Sequence, residues 1–354
     1  MLQTIPAPSG ARTAAALLAL LAFVAQAGGE EPAQRIALAP GVTLRAATVE
    51  EGQKILLETD RFTSQLSAFD LDSRVGRTSA TRADFDKLVS AQVLPWENDE
   101  LDKIRAAAAV VTDWMRQREL QPPFPREILL IQTTGKDEGN AAYCRGRAII
   151  LPQRVVRDSR PNRMNDLLAH ELFHIVSANH PELQRALYAA IGFRPCPPIQ
   201  LPADLAARKI TNPDGPGLDY YIQLQLEQDP ATEARLVKAV PLLFAKSAFD
   251  PERGGSFFDY MQFQLLVVAA GEDGVWRAGS GKTGSAPQLI EPRSAPDFFR
   301  QIGRNTSYIV HPDEVLADNF VFLLQGKKDL KSPHVVEQME KIIKTHAPKA
   351  STQK

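Results

Sequence analysis

The chain has 354 residues, of which 44% are hydrophobic and 23% are charged. This composition is typical of a globular protein and excludes a collagen, a coiled coil or a disordered chain as its main state. The formal net charge is -1, from 41 basic and 42 acidic side chains. Because nucleic acids attract proteins with a basic excess, we predict no nucleic-acid partner.

The N-terminal segment has the pattern of a secretory signal. Arg12 precedes an apolar run that ends at the small-x-small triplet Ala25-Gln26-Ala27. The run is shorter than the roughly 20 apolar residues that cross a bilayer. We therefore predict a signal peptide over residues 1–27, with an uncleaved anchor as the alternative. After cleavage we expect the chain to be periplasmic or secreted, without a stable membrane anchor.

Residues 28–120 are predicted to form a mainly helical N-terminal region. Thr81 and Asp84 have the spacing of a capping box at the start of one helix. Apolar residues at helical spacing then predict a long amphipathic helix over residues 97–120. The proline-rich segment that follows ends this helix, because proline cannot continue the hydrogen-bond ladder.

Two strands and two helices are predicted next. Apolar and β-branched residues predict strands at 127–132 and 142–151. Helical spacing of apolar residues predicts helices at 162–178 and 181–191.

The region from about residue 195 to 290 is predicted to be rich in β-structure. It contains a turn cluster of Pro, Gly, Asn and Asp at residues 211–217 and strand-like runs at 234–249 and 257–270. A final helical pair follows, and the polar residues 346–354 are predicted to be a flexible tail.

Cys144 and Cys196 are the only cysteines of the chain. In an oxidising compartment such a pair can form one disulfide. We predict a Cys144–Cys196 bridge, with two buried free thiols as the alternative.

The sequence His170-Glu-Leu-Phe-His174 lies within the predicted helix 162–178. His170 and His174 are one turn apart and project from the same face, so that both imidazoles can bind one metal ion. Glu171 lies beside the pair and can take a proton from an attacking water and pass it to a leaving amine. The alternative is an amphipathic helix whose histidines only form hydrogen bonds at the surface.

With this His-Glu-x-x-His core the sequence resembles the zincin metallopeptidases. The resemblance implies an α+β fold in which a mixed sheet precedes the active-site helix and the helix 97–120 packs behind it. It also implies that strand 142–151 is an edge strand that pairs with the peptide backbone, a plain core strand being the alternative. The catalytic domain then covers residues 121–345, with a β-rich insertion at about 195–290.

A catalytic zinc needs a third protein ligand. Glu314 and Asp318 are four residues apart on one predicted helix face. They match the Glu-x-x-x-Asp of the gluzincin branch, and the resemblance implies that Glu314 binds zinc and that Asp318 orients His170.

His180 is the alternative third ligand. It lies six residues after His174, which is the ligand spacing of the metzincin branch. In this chain Ser177 stands where that branch has the glycine that lets the helix turn back.

Tyr308 and His311 precede Glu314 closely and are candidates for the donor that stabilises an oxyanion. The alternative for each is a packed or surface residue.

These features predict an exported zinc-dependent peptidase with one zinc per chain that hydrolyses a peptide or protein substrate. Glu171 is then the general base and later the general acid. One alternative is a non-catalytic exported protein that uses the zincin scaffold for binding. Another is zinc chemistry on a non-peptide bond, because the motif does not specify the scissile group.

Overall fold

The chain is described by a computed structural model over residues 34–226, 235–279 and 286–348. The predicted signal peptide, residues 1–27, and the end of the predicted tail, residues 349–354, lie outside the described residues. The strands are β1 (Arg35–Ala39), β2 (Val42–Ala46), β3 (Val93–Leu94), β4 (Glu127–Thr133), β5 (Tyr143–Arg145), β6 (Ala148–Pro152), β7 (Phe193–Pro195), β8 (Ile199–Gln200), β9 (Tyr220–Leu226), β10 (Arg235–Ala245), β11 (Met261–Ala270), β12 (Trp276–Ala278) and β13 (Leu289–Ile290). The helices are α1 (Val49–Leu56), α2 (Ala68–Val75), α3 (Arg82–Gln92), α4 (Asn98–Gln117), α5 (Gln153–Asp158), α6 (Pro161–Asn179), α7 (Pro181–Ala190), α8 (Ala203–Arg208), α9 (Pro296–Ile302), α10 (Pro312–Gln325) and α11 (Pro333–Thr345).

The first sheet has the strand order β1-β2-β4-β6-β5, and β3 pairs with β4. Strands β2, β4 and β6 are parallel, whereas β1 and β5 are antiparallel to their neighbours at the two ends. The predicted α+β class is confirmed, and so is the predicted strand that is now β4. Strands β1 and β2 were not predicted. They lie in the region expected to be mainly helical and join it to the same sheet as β4.

The segment predicted as one strand, residues 142–151, is a hairpin of β5 and β6. Gly146 in its turn has φ 59°, a left-handed conformation that glycine adopts without strain. Only β5 lies at the edge, because β6 also pairs with β4. The prediction that residues 142–151 form one edge strand was therefore wrong, because only β5, Tyr143–Arg145, is the edge strand. A glycine within an apolar run does not by itself distinguish a tight turn from a tolerated strand position.

Helices α4 and α10 both pack against α6. The predicted helices that correspond to α4, α6 and α7 are confirmed. Helix α6 begins with Pro161 and ends at Asn179, and the backbone of its C-cap His180 leaves the helical region before Pro181. Leu168, on the buried side of α6, is fully enclosed in the main hydrophobic cluster.

The second sheet is drawn from residues 193–290, in agreement with the predicted β-rich region. Its strand order is β7-β9-β10-β11-β12-β8, and β13 pairs with β11. Residues of this sheet, such as Ile222 and Leu265, share one buried cluster with Ile104 of α4 and Val315 of α10. The second sheet therefore shares a core with α4 and α10, which both pack against α6. None of the described helices has the length and apolar character of a membrane span.

Both cysteines are free thiols, so the predicted disulfide is wrong. Cys144 is buried on β5 of the first sheet, where its thiol donates to the carboxylate of Glu171. Cys196 follows β7 of the second sheet, and its backbone N–H donates to the carbonyl of Asp219. Cys144 lies in the first sheet and Cys196 lies directly after a strand of the second sheet, and a count of cysteines cannot reveal this difference.

Candidate metal centre

Three side chains from two helices converge at one point. His170 and His174 lie one turn apart on α6, with their ring centroids 4.8 Å apart. Glu314, from the first turn of α10, places Oε2 3.1 Å from Nε2 of His170 and 3.4 Å from Nε2 of His174. The possible metal-ligand atoms of the three residues all lie within 4.8 Å of one another, an arrangement that could hold a metal ion.

A carboxylate orients each histidine through its other ring nitrogen. Nδ1 of His170 lies 3.1 Å from Oδ1 of Asp318, the contact that the sequence resemblance implied. Nδ1 of His174 lies 2.6 Å from Oδ2 of Asp313, a contact that the sequence analysis missed. Because an ionised carboxylate only accepts hydrogen bonds, these contacts assign the proton of each neutral ring to Nδ1.

This assignment leaves three acceptor atoms facing one another. Nε2 of each neutral imidazole carries a lone pair, and Oε2 of Glu314 is also an acceptor. Nε2 of His174 is buried and has no hydrogen-bond partner among the described residues. A buried acceptor without a partner is costly, and a cation between the three atoms would satisfy all of them. Two imidazoles and one carboxylate are also a ligand set of catalytic zinc.

The charges around the histidines favour a positive charge at this point. Burial opposes protonation of His170, but its hydrogen bonds to Asp318 and Glu314 raise its pKa to about 10. Burial likewise opposes protonation of His174, but the carboxylates of Asp214 and Glu314 raise its pKa well above the usual value. A proton or a metal ion can supply this charge, and the two compete for the same nitrogen atoms.

Glu314 is held from its other side by Asn212. Nδ2 of Asn212 donates to Oε1 of Glu314 at 2.7 Å, so that only Oε2 faces the histidines. Burial raises the pKa of Glu314, but the histidines outweigh this effect and keep the pKa well below its usual value. Asn212 lies in the turn cluster 211–217, which the sequence analysis predicted as a turn and did not connect with the site.

Glu171 is nearly fully buried and lines the same cavity as the histidines. Burial raises the pKa of its carboxyl group. A second group of possible ligand atoms lies within 4.8 Å of one another. It consists of the carboxylates of Glu171 and Asp214 and the thiol of Cys144. Asp214, which the sequence analysis also missed, accepts the backbone N–H of Cys144 at 2.8 Å. That N–H belongs to the edge strand β5.

The two proposed oxyanion donors have different positions. The ring of Tyr308 stacks near that of His170, with centroids 6.4 Å apart, and lines the cavity. His311 instead caps α10 by accepting the backbone N–H of Asp313, and its ring packs near Tyr188. His311 is not among the residues that line this cavity.

The alternative ligand His180 lies at the junction of α6 and α7. It is not part of the group that His170, His174 and Glu314 form among the described residues. The open cavity beside that group has a volume of about 500 Å³, a size within the usual range of ligand pockets.

Comparison of the chain with protein-family models, with curated proteins and with solved structures gave no match. The interpretation of the site therefore depends on its own residues and their geometry.

Proposed function

We propose that this protein is an exported zinc-dependent peptidase of the zincin type, similar to the gluzincin branch, that acts on peptide or protein substrates. One observation carries the proposal: three acceptor atoms converge, namely Nε2 of His170, Nε2 of His174 and Oε2 of Glu314. The buried Nε2 of His174 has no hydrogen-bond partner among the described residues.

The three residues would hold one zinc ion per chain. When bound, zinc supplies a Lewis acid that polarises a carbonyl group and lowers the pKa of water towards about 7. Asp318 and Asp313 hold the Nδ1 protons of the two histidines, which directs both Nε2 lone pairs to the same point.

Glu171 is the proposed general base and acid. Its carboxylate accepts a proton from the water that attacks the scissile carbonyl and then gives this proton to the leaving amine. Burial raises its pKa and makes it a stronger base than an exposed glutamate. Tyr308, which stacks near His170, is the proposed donor to the developing oxyanion. His311 has no place in this proposal, because its Nδ1 is occupied by the cap of α10.

The edge strand β5 is the proposed binding surface for an extended peptide. It is the last strand of the first sheet and contacts α6. Backbone pairing with such a strand does not depend on the peptide sequence. The N–H of Cys144 already donates to Asp214. A peptide that pairs at this position must therefore replace the carboxylate of Asp214.

The test uses the purified chain without residues 1–27. Elemental analysis should find about one zinc per chain, and peptide-library cleavage should stop with a chelator and return with added zinc. Glu171→Gln should retain zinc but lose cleavage by about 100-fold or more, because an amide cannot accept the proton. Glu182→Gln, at an exposed position of α7, is the matched control and should behave like the parent.

Two results would overturn the proposal. Absence of zinc from the parent would exclude the metal centre, and full activity of Glu171→Gln would exclude the role of Glu171. Zinc binding without cleavage of any peptide would instead favour the non-catalytic binding protein.

A further inference from the structure

Asn212 contacts the candidate metal centre from outside the two helices that build it. It comes from the turn cluster 211–217, which precedes β9 of the second sheet. Its Nδ2 donates to Oε1 of Glu314 at 2.7 Å. Since Oε2 of Glu314 faces the two histidines, the two carboxylate oxygens have separate partners.

The orientation of the Asn212 amide is fixed by its own loop. The backbone N–H of Asp214 donates to Oδ1 of Asn212 at 3.1 Å. With the oxygen of the amide occupied in this way, its NH₂ group must face Glu314. An aspartate at this position would present an acceptor to the carboxylate, and the two groups would repel each other.

The loop is anchored at the residue before Asn212. The hydroxyl of Thr211 donates to Asp70 at 2.6 Å, and the backbone N–H of Thr211 donates to the other oxygen of Asp70 at 3.1 Å. Arg74 donates to the carbonyl of Thr211 at 3.2 Å and pairs with both Asp70 and Glu138. Asp70, Arg74 and Thr211 are all buried. Because every member of this network has a partner, the network limits the movement of Asn212.

We infer that Asn212 is a positioning residue that makes Glu314 a ligand through one oxygen only. The inference rests on the proposed zinc site. A carboxylate that binds through both oxygens occupies more of the coordination sphere than one that binds through a single oxygen. By holding Oε1, Asn212 keeps a position free for water or substrate, which catalytic zinc requires.

The test compares Asn212→Ala and Asn212→Asp in the chain without residues 1–27. Zinc affinity is measured by competition with a chromophoric chelator, and the visible spectrum of the cobalt-loaded protein reports the coordination of the ion. Asn212→Ala should lower zinc affinity by about 10- to 100-fold, which is typical of a residue that orients a metal ligand. Asn212→Asp has the same shape and should lower it further. Both variants should change the cobalt spectrum, because Glu314 is then free to bind through both oxygens.

Asn179→Ala is the matched control. Asn179 is the last residue of α6, and its amide donates to the carbonyls of Gly146 and Ile175. Asn179 is not among the residues that line the cavity. This variant should keep the zinc affinity and the cobalt spectrum of the parent. Thermal unfolding of the zinc-free proteins shows whether a variant has lost its fold.

The outcomes separate this inference from the proposed function. If the parent binds zinc and both Asn212 variants match it in affinity and spectrum, the inference is overturned and the proposed zinc site remains. If the parent binds no zinc, the proposed function fails and the inference fails with it.

Discussion

The carboxylate of Asp313 lies 2.6 Å from Nδ1 of His174, although 139 residues separate the two in the sequence. The hydroxyl groups of Ser177 and Tyr188 also donate to Asp313, the latter at 2.8 Å. Asp313 therefore links α6, α7 and α10 at one buried point. The adjacent Glu314 reaches the Nε2 side of the same imidazole.

We predict that Asp313→Ala lowers zinc affinity by about 10- to 100-fold without removing a bond to the ion. The loss should exceed that of Asp318→Ala, because the Asp313 side chain is 2% exposed and that of Asp318 is 28% exposed. Water can replace the exposed acceptor more easily than the buried one. Chelator competition measures both affinities, and a larger loss in Asp318→Ala would contradict the argument.

Local patterns in the sequence were sufficient to predict the helices that surround the site. Helix α4 was predicted from apolar spacing and a following proline segment, and α6 from the spacing around His170 and His174. Glu314 and Asp318 share one predicted helix face, but their link to the two histidines was implied by the resemblance to the gluzincin branch. In each case the signal lies within a few residues, where the helical repeat fixes the relative direction of the side chains.

Contacts between distant segments could not be predicted in this way. Asn212 and Asp214 lie in a turn cluster whose composition predicts a loop but not the surface that the loop contacts. Asp313 carried a weak signal, since it is next to Glu314 and a carboxylate is a common partner of a metal-binding histidine. The predicted Cys144–Cys196 disulfide was wrong for the same reason: whether two cysteines can pair depends on their distance in space.

We predict that Glu314→Ala removes most of the bound zinc, whereas His180→Ala leaves it nearly stoichiometric. Glu314 is within reach of both motif histidines, whereas His180, the C-cap of α6, does not belong to the group that they form. Loss of one of three protein ligands opens the site to solvent and leaves the two imidazoles alone. Zinc analysis after dialysis decides between the residues, and an empty site in His180→Ala together with a full site in Glu314→Ala would support the metzincin-like alternative.

We predict that Asp214→Ala lowers KM for extended peptides by about two- to tenfold, which corresponds to roughly 0.5–1.5 kcal/mol for one hydrogen bond. Removal of the carboxylate frees the N–H of Cys144 on the edge strand β5 for a peptide carbonyl. Asp214→Asn is the matched control, because its side-chain oxygen still accepts this N–H. Steady-state kinetics with peptides of increasing length measures the effect, and equal KM values for the two variants would contradict competition at Cys144.

The last prediction concerns Glu100, which fixes the start of the helix behind α6. Its carboxylate is fully buried and accepts hydrogen bonds from Glu97 N at 2.9 Å, Gln132 at 2.8 Å and Arg157 at 2.6 Å. Burial raises the pKa of Glu100, but these three donors outweigh burial and lower it below its ordinary value of 4.5. A carboxyl group whose pKa is lowered by folding stabilises the protein above its unfolded pKa, and this contribution is lost as the pH falls through the folded value.

Glu100→Gln should therefore lower the free energy of unfolding at pH 7 by about 2 kcal/mol, in the range for hydrogen bonds to a charged group. The difference from the parent should shrink as the pH falls below 4.5, the ordinary value for this carboxyl group, because the parent then loses the same charge. Guanidinium unfolding of both proteins at pH 7 and at acidic pH measures the difference. Glu337→Gln, at an exposed position of α11, should match the parent at both pH values. A difference between parent and Glu100→Gln that grows towards acidic pH would show that Glu100 is protonated in the folded chain and that its three donors do not hold a carboxylate.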